Sequence, residues 1–146
     1  MIAIGADHGG FHLKEEIKQF LDSKNIEYKD FGTFHTDSVD YPDIAKEVCE
    51  QVVAKKFEKA LLFCGTGIGI SIAANKIKGI RAACVSDYFS AKYTRLHNDA
   101  NALCLGERVV GPGLACQLVD LFLDTAFEGG RHGQRVNQLM DLEPKP

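Results

Sequence analysis

The stretch Leu61–Ser71, LLFCGTGIGIS, ends an apolar run in a cysteine and then spaces three glycines at alternate positions. With the two residues before it, the run predicts a buried β-strand over 59–64, and a short helix is expected over 71–76. Glycines at 65, 67 and 69 have no side chain, so the backbone can turn sharply and a ligand can approach its N–H groups. We therefore expect Cys64 to face a ligand and not the core.

The rest of the chain alternates short apolar runs with helical patterns. Strand one is predicted over 2–5, and a helix follows it with Leu13, Ile17, Phe20 and Leu21 at helical spacing. Asp40 has the position of an N-cap for a second helix that ends near Lys55. The remaining predicted strands cover 26–32, 79–85 and 101–106, and the remaining helices cover 87–96, 112–121 and 131–142. Five apolar strands with helical crossovers predict the doubly wound α/β class with a parallel sheet.

Size and charge limit the class of protein. The 146 residues fit one domain over 1–146, and 17 basic against 20 acidic residues give a net charge of −3. That balance predicts no general surface for nucleic acid, so local clusters must carry any affinity for anions. No run is long enough for a membrane span. The five cysteines are widely spaced with no C-x-x-C pair, which argues against disulfides and zinc and predicts the reducing cytoplasm.

Ligands of doubly wound sheets bind beyond the carboxyl ends of the strands. Asp7 and His8 follow strand one there, Cys64 ends strand three, and Glu107 and Arg108 follow strand five. Asp7 and His8 are expected to reach the crevice, although an Asp that only caps the next helix is an equally good interpretation. The spacing of His8 to His12 is a weak metal signal, and we predict no metal.

Cys64 differs from the other four cysteines, which lie among apolar residues and are predicted to be packing residues. It precedes a loop whose N–H groups point toward a helix N-terminus, an environment that lowers a thiol pKa from about 8.5 toward neutrality. A thiolate there could act as a base or a nucleophile, and the alternative is a small residue that fills the end of a strand. Ile70 stands where a dinucleotide-binding loop needs its third glycine, so that function is disfavoured.

Two further groups lie later in the chain. His97 and Asn98 are predicted at a helix-to-strand turn, where an imidazole could exchange protons near neutral pH or simply be solvated. Arg131 and Arg135 lie four apart on one face at the start of the last helix. Two cations oppose the helix dipole there, which favours a bound phosphate group, with Arg108 as a further ligand; a solvated basic turn is the alternative.

Five longer motifs follow one another along the chain: GADHGGFHLK (5–14), DYPD (40–43), CGTGIGISIAANKIKGIRAA (64–83), RLHNDANALCLGER (95–108) and GGRHGQRV (129–136). Together they resemble the ribose-5-phosphate isomerase B family, which also includes galactose-6-phosphate and allose-6-phosphate isomerases, over residues 2–142. The resemblance implies an aldose–ketose isomerase without a cofactor on a Rossmann-like, three-layer α/β/α sandwich. It also implies a homodimer, sometimes paired into a dimer of dimers, with active sites at the subunit interface.

The resemblance also implies a role for individual residues. Cys64 is the base that moves a proton between the two carbons beside the shifting carbonyl, and Thr66 lies beside the sugar. Asp7 and His97 are the ring-opening pair. The implied substrate-binding residues are Gly65, Gly67, Ile68 and Gly69 at the enediolate oxygen, Tyr41 and Asn98 at the sugar, and His8, Arg108, Arg131 and Arg135 at the phosphate.

The first functional hypothesis is therefore the interconversion of ribose 5-phosphate and ribulose 5-phosphate through a cis-enediolate. An allose-6-phosphate isomerase, or a subunit of a galactose-6-phosphate isomerase, would use the same residues. A nucleotide-binding module without catalysis is the alternative from a different class, because compact α/β domains often bind phosphates with glycine-rich turns.

Overall fold

The computed structural model describes residues 1–146, with a five-stranded sheet and six helices. The strands are β1 (Ile2–Ala6), β2 (Tyr28–Asp30), β3 (Lys59–Cys64), β4 (Ala82–Cys84) and β5 (Ala102–Gly106). The helices are α1 (Phe11–Ser23), α2 (Tyr41–Val53), α3 (Ile68–Ala74), α4 (Tyr88–Asn98), α5 (Pro112–Asp124) and α6 (Arg131–Met140). Every strand pair is parallel and the order is β2-β1-β3-β5-β4, so the predicted parallel sheet is confirmed.

Helices cover both faces of the sheet, because the apolar strands expose side chains alternately to either side. On one face Ile4, Phe63 and Leu103 pack against α1, α4 and α5. On the other face Leu62 and Cys104 pack against α2 and α3. The predicted three-layer sandwich is therefore confirmed, and α6 packs outside it against α4.

Several element ends differ from the prediction. The edge strands β2 and β4 have three residues each, shorter than the predicted runs, because an edge strand pairs on one side only. Helix α3 begins at Ile68 and not at Ser71, because Gly67 takes a left-handed φ of 79° and turns the chain into the helix early. Helices α5 and α6 end at Asp124 and Met140, three residues later and two residues earlier than predicted.

The topology brings the loops that follow β1, β3 and β5 together at the carboxyl ends of the strands. The crossover from β1 leads to β2 on one side, and the crossover from β3 leads to β4 on the other, so the two loops leave the sheet in opposite directions. Since β5 pairs with β3, the segment after Gly106 meets the loop after Cys64. The longest helices have 13 residues, and none of the six is both long and apolar enough to cross a membrane.

Candidate active site

Glycines let the three loops approach closely at the carboxyl edge of the sheet. A Cβ on Gly10 would lie 2.6 Å from the carbonyl oxygen of Phe63, and a Cβ on Gly106 would collide with the backbone of Thr66. A Cβ on Gly9 would lie 3.1 Å from the backbone nitrogen of Gly65. The loops after β1, β3 and β5 therefore pack backbone against backbone, which any larger residue would prevent.

Cys64 ends β3 and is 5% exposed, packed beside α2 and α3. The expectation that this cysteine stands clear of the core is wrong, because the side chain follows the alternation of its strand into the core on that face. Its sulfur still meets the loop, since the N–H of Gly67 donates a hydrogen bond to Sγ at 3.1 Å. A donor aimed at sulfur stabilises the thiolate, which is the form that acts as a base.

Burial raises the pKa of the other four thiols, and Cys49 reaches about 12. Cys49 and Cys104 are buried, which confirms the prediction that they are packing residues. The same prediction is wrong for Cys84. This residue is exposed at the end of the edge strand β4, and a Cβ on Gly67 would lie 3.1 Å from its sulfur. Cys116 is half-buried on α5.

The loop after Cys64 contains both engaged and free backbone donors. The N–H of Gly67 is engaged by the sulfur, and the N–H of Ile68 donates to the hydroxyl of Thr66 at 3.1 Å. The N–H groups of Gly65, Thr66 and Gly69 have no hydrogen-bond partner in the chain. Free N–H groups that converge at a loop suit an anion or an oxyanion.

Asp7 and His8 lie directly beside this loop. Asp7 is 6% exposed, and its Oδ1 accepts the N–H groups of Gly9 and Gly10 at 2.9 and 3.1 Å. Oδ1 therefore holds the turn before α1, while Oδ2 makes no hydrogen bond in the chain. His8 is exposed, and its Nδ1 accepts the N–H of Val39 at 3.2 Å, which leaves the ring proton on Nε2.

Arg108 and Tyr41 complete the group at this edge. The N–H of Arg108 donates to the carbonyl of Gly65 at 3.0 Å, and its side chain lies 3.9 Å from a Cβ position on that glycine. Tyr41 begins α2, and its hydroxyl lies 3.2 Å from a Cβ position on Gly69. Asp40 occupies the predicted N-cap position before it, but its side chain makes no capping bond. Ten predicted site residues thus gather here: Asp7, His8, Tyr41, Cys64, Gly65, Thr66, Gly67, Ile68, Gly69 and Arg108.

The other four predicted residues lie toward the amino ends of the strands. His97 and Asn98 form the last turn of α4, not the turn after a shorter helix, because the helix continues until Asp99 takes a left-handed φ of 47°. They lie near the start of β5, whereas Cys64 pairs with its end, four residue steps or about 13 Å along the ladder. Arg131 and Arg135 are exposed on α6, which packs against α4. One chain does not bring these four residues to Cys64.

His97 belongs to a cluster that the sequence analysis missed. Its ring stacks on His132 with centroids 3.9 Å apart and planes at 10°, and its Nε2 lies 3.7 Å from a carboxylate oxygen of Glu128. Burial lowers the pKa of His132, and the nearby His97 lowers it further. The three side chains are close enough for a metal ion, but the lone pairs of the two stacked rings lie in nearly parallel planes and do not meet at one point. In the sequence, the only indication of this cluster was His132 within the motif GGRHGQRV.

None of the three main clefts in the chain is lined by Cys64 or its loop. A cleft of about 490 Å³ lies between β4, α4 and α6 and is lined in part by Asn98. Three of its other polar side chains, Asn75, Arg81 and Glu143, already bond to the backbone. A second, of about 320 Å³, runs along α4 from Cys84 to His97. At the candidate site Thr66 and Ile68 of that loop are exposed, whereas Cys64 and Asp7 are buried.

The sequence model of the Ribose/Galactose Isomerase family matches residues 2–139. This chain belongs to that family. A ribose-5-phosphate isomerase B of Escherichia coli (strain K12) is 46% identical over 144 residues, which cover 99% of this chain and 97% of that protein. The predicted resemblance is therefore confirmed.

Solved structures of ribose-5-phosphate isomerase B have the same fold as this family member. The Clostridium thermocellum protein superposes with a TM-score of 0.95 at 50% identity, covering 97% of this chain and 95% of that one. The Mycoplasma genitalium protein, solved with bound ribulose-5-phosphate, gives 0.91 at 39% identity over 96% and 93% of the two chains.

Proposed function

We propose that this chain interconverts ribose 5-phosphate and ribulose 5-phosphate through a cis-enediolate, with Cys64 as the base. The observation that carries the proposal is the hydrogen bond from Gly67 to Cys64 Sγ, in a member of the Ribose/Galactose Isomerase family. A relative that is 46% identical is named ribose-5-phosphate isomerase B, and a 39% identical neighbour was solved with ribulose-5-phosphate. No cofactor is required by this chemistry.

The thiolate of Cys64 removes the proton from C2 of the open-chain aldose and returns it to C1. The N–H of Gly67 supports this role because it stabilises negative charge on sulfur before the substrate gives up its proton. Thr66 supports the transfer of the second proton between the two substrate oxygens. Its oxygen accepts the N–H of Ile68, so the hydroxyl proton is free to donate to the sugar.

The enediolate oxygen accepts hydrogen bonds from the free backbone N–H groups of the same loop. The unpartnered N–H groups of Gly65, Thr66 and Gly69 support this role, and one such donor in a well-studied enzyme is worth roughly 2.7–4 kcal/mol. Gly67 and Ile68 act indirectly, because their N–H groups hold Cys64 and Thr66. Tyr41 limits the space beside Gly69.

A second copy of the chain in a homodimer supplies the site residues that lie far from Cys64, namely His97, Asn98, Arg131 and Arg135. Asp7 from one subunit and His97 from the other open the sugar ring, and Asn98 binds the opened sugar. His8 and Arg108 hold the phosphate with Arg131 and Arg135 of the second copy. Two observations support a composite site: the Cys64 loop lines none of the three main clefts of the single chain, and the neighbouring α3 exposes Ile68 and Ile72 by 56% and 57%.

The phosphate would hold the reacting carbon against Cys64, because binding energy from a distant group can position the reacting atoms. His8 suits this grip, since the Val39 N–H leaves its Nε2–H as a donor to a phosphate oxygen. The same machinery would accept allose or galactose 6-phosphate, so a panel of pentose and hexose phosphates assigns the sugar. A nucleotide-binding module would instead be stabilised by nucleotides and would convert no sugar.

The direct test measures conversion of ribose 5-phosphate by the purified chain without added cofactor, for the parent, Cys64→Ala and Cys84→Ala. We expect Cys64→Ala to lose at least about 1,000-fold in kcat, because the base is gone, while sugar phosphate still binds. Cys84→Ala is the matched control, since Cys84 lies next to the same loop but has a raised pKa. A Cys64→Ala enzyme with most of the parental rate would overturn the assignment of the base.

A further inference from the structure

Helix α1 begins where its own sequence offers no capping side chain. Its N-cap residue is Gly10, and a Cβ there would lie 2.6 Å from the Phe63 carbonyl oxygen and 2.7 Å from the Cys64 nitrogen. The usual capping residues Ser, Thr, Asp and Asn are thus excluded from this position. Asp7 is close by, but its Oδ1 is already used by the N–H groups of Gly9 and Gly10, before the helix.

The missing acceptor comes from the segment that follows β5. Glu107 Oε1 accepts the N–H of Leu13 at 2.7 Å, across 94 positions of sequence. Leu13 is the third residue of α1, and its N–H is one that an N-cap side chain normally satisfies. The carboxylate also lies at the positive end of the helix dipole. Glu107 therefore supplies the capping hydrogen bond that Gly10, which has no side chain, cannot supply.

The same segment holds the Cys64 loop. The backbone N–H of Glu107 donates to the carbonyl of Cys64, and the N–H of Arg108 donates to the carbonyl of Gly65, each at 3.0 Å. One residue thus bonds through its backbone to the end of β3 and through its side chain to the first turn of α1. No other side chain in the chain hydrogen-bonds to an N–H in that first turn.

We propose that Glu107 is a positioning residue that caps α1 from a distance and so holds the Asp7–His8 turn in register with Cys64. The inference rests on the proposed function for the roles of Asp7, His8 and Cys64. Loss of the carboxylate would let the first turn of α1 fray and the turn before it move away from the Cys64 loop. A misplacement of about 1 Å can cost an enzyme about 100-fold.

The test compares Glu107→Ala, Glu107→Gln and Asp87→Ala. Gln retains the acceptor oxygen, so we expect kcat/KM within about threefold of the parent, while Ala is expected to lose about 10- to 100-fold. Asp87→Ala is the matched control, because Asp87 caps α4 by accepting the Ser90 N–H at 2.7 Å and has no bond to the candidate site. It should lower Tm about as much as Glu107→Ala with kcat/KM within about twofold of the parent.

Amide hydrogen exchange gives a second readout that does not depend on turnover. In Glu107→Ala we expect faster exchange at Leu13 and at Gly9 and Gly10, which Asp7 holds, with Glu107→Gln restoring protection. Unchanged exchange there, or a Glu107→Ala enzyme within about twofold of parental kcat/KM, would overturn the inference. An inactive parent would instead overturn the proposed function, and the exchange result would still decide whether Glu107 holds the turn.

Discussion

The backbone N–H of Gly67 points at the sulfur of Cys64 from 3.1 Å. It can do so because Gly67 has a φ of 79°, which turns the chain back toward the end of β3 before α3 begins. The same conformation brings Gly67 against the backbone of Leu105 and Gly106. The geometry that supports a thiolate thus depends on one left-handed glycine.

Gly67→Ala is expected to damage this geometry. A Cβ there would lie 2.9 Å from the Leu105 backbone, and a left-handed φ costs a non-glycine residue about 1–2 kcal/mol. We expect kcat to fall by at least about tenfold and the free energy of unfolding to fall by about 1–3 kcal/mol. Gly113→Ala in the first turn of α5 is the control, because nothing lies within 4 Å of its Cβ position and both quantities should stay near the parent. Parental kcat in Gly67→Ala would contradict the role of this N–H.

The hydrogen bond from the Val39 N–H to His8 predicts which nitrogen of the neutral His8 ring carries the proton. Because Nδ1 accepts a hydrogen bond at 3.2 Å, the neutral ring carries its proton on Nε2. Nitrogen-15 NMR of the parent above pH 8 is expected to show His8 as the Nε2–H tautomer, and His12, whose ring has no hydrogen-bond partner, supplies the comparison. A signal from the Nδ1–H tautomer of His8 would show that Val39 does not set its orientation.

Asp30 is expected to make stability depend on pH in the acid range. Lys14 is fully buried, and its Nζ lies 2.6 Å from Asp30 Oδ2. Burial alone would raise the pKa of Asp30, but hydrogen bonds from Lys14 and Lys18 and from the Gly32 N–H lower it. A carboxylate with a lowered pKa in the folded state adds stability above about pH 3.9, its unfolded pKa, and loses it as pH falls through the folded pKa.

Asp30→Asn should therefore lower the free energy of unfolding by about 3–5 kcal/mol at pH 7, because it leaves Lys14 charged and buried with only the more distant carboxylate of Glu15, at 3.4 Å. Urea unfolding from pH 7 to pH 3 measures this, and the difference from the parent should narrow at the acid end. Asp120→Asn is the control, since Asp120 pairs with Lys24 in solvent and should cost about 0–1 kcal/mol. Equal losses in the two variants would contradict the buried pair.

The sequence predicted the sheet and the group at its carboxyl edge for a physical reason. Parallel strands joined by crossovers must end at one edge, so Asp7, Cys64 and Arg108 had to meet once the strands were identified. The alternation of buried residues along β3 also determines the face to which Cys64 points. The expectation that Cys64 leaves the core is wrong because the register of β3, and not the loop that follows it, sets the direction of this side chain.

Other features depend on contacts between distant positions, which periodicity does not contain. The bond between Glu107 and Leu13 joins positions 94 apart, and the stack of His97 on His132 joins α4 to α6. The last turn of α4 extends past the predicted end because Asp99 accepts a left-handed conformation. For these features the sequence supplied the residue types but not their neighbours.

The basic pair on α6 is expected to act on the phosphate. Arg131→Ala with Arg135→Ala should lower kcat/KM for ribose 5-phosphate by about 100-fold or more, since each guanidinium–phosphate bond is worth about 1.5–3 kcal/mol. Unphosphorylated ribose should be converted by the variant at close to the parental rate. Lys92→Ala on the exposed side of α4 controls for the loss of a surface charge. Similar losses for both sugars would argue against a phosphate role.

The central claim, a site shared between Cys64 of one subunit and His97 of another, is tested most directly by mixing two inactive variants. Cys64→Ala and His97→Asn chains are unfolded together in equal amounts, refolded and assayed with ribose 5-phosphate. Half of the random dimers then contain both variants, and each of these has one intact site of two, so the account predicts about 25% of the parental activity. Activity no higher than that of the separate variants would contradict it.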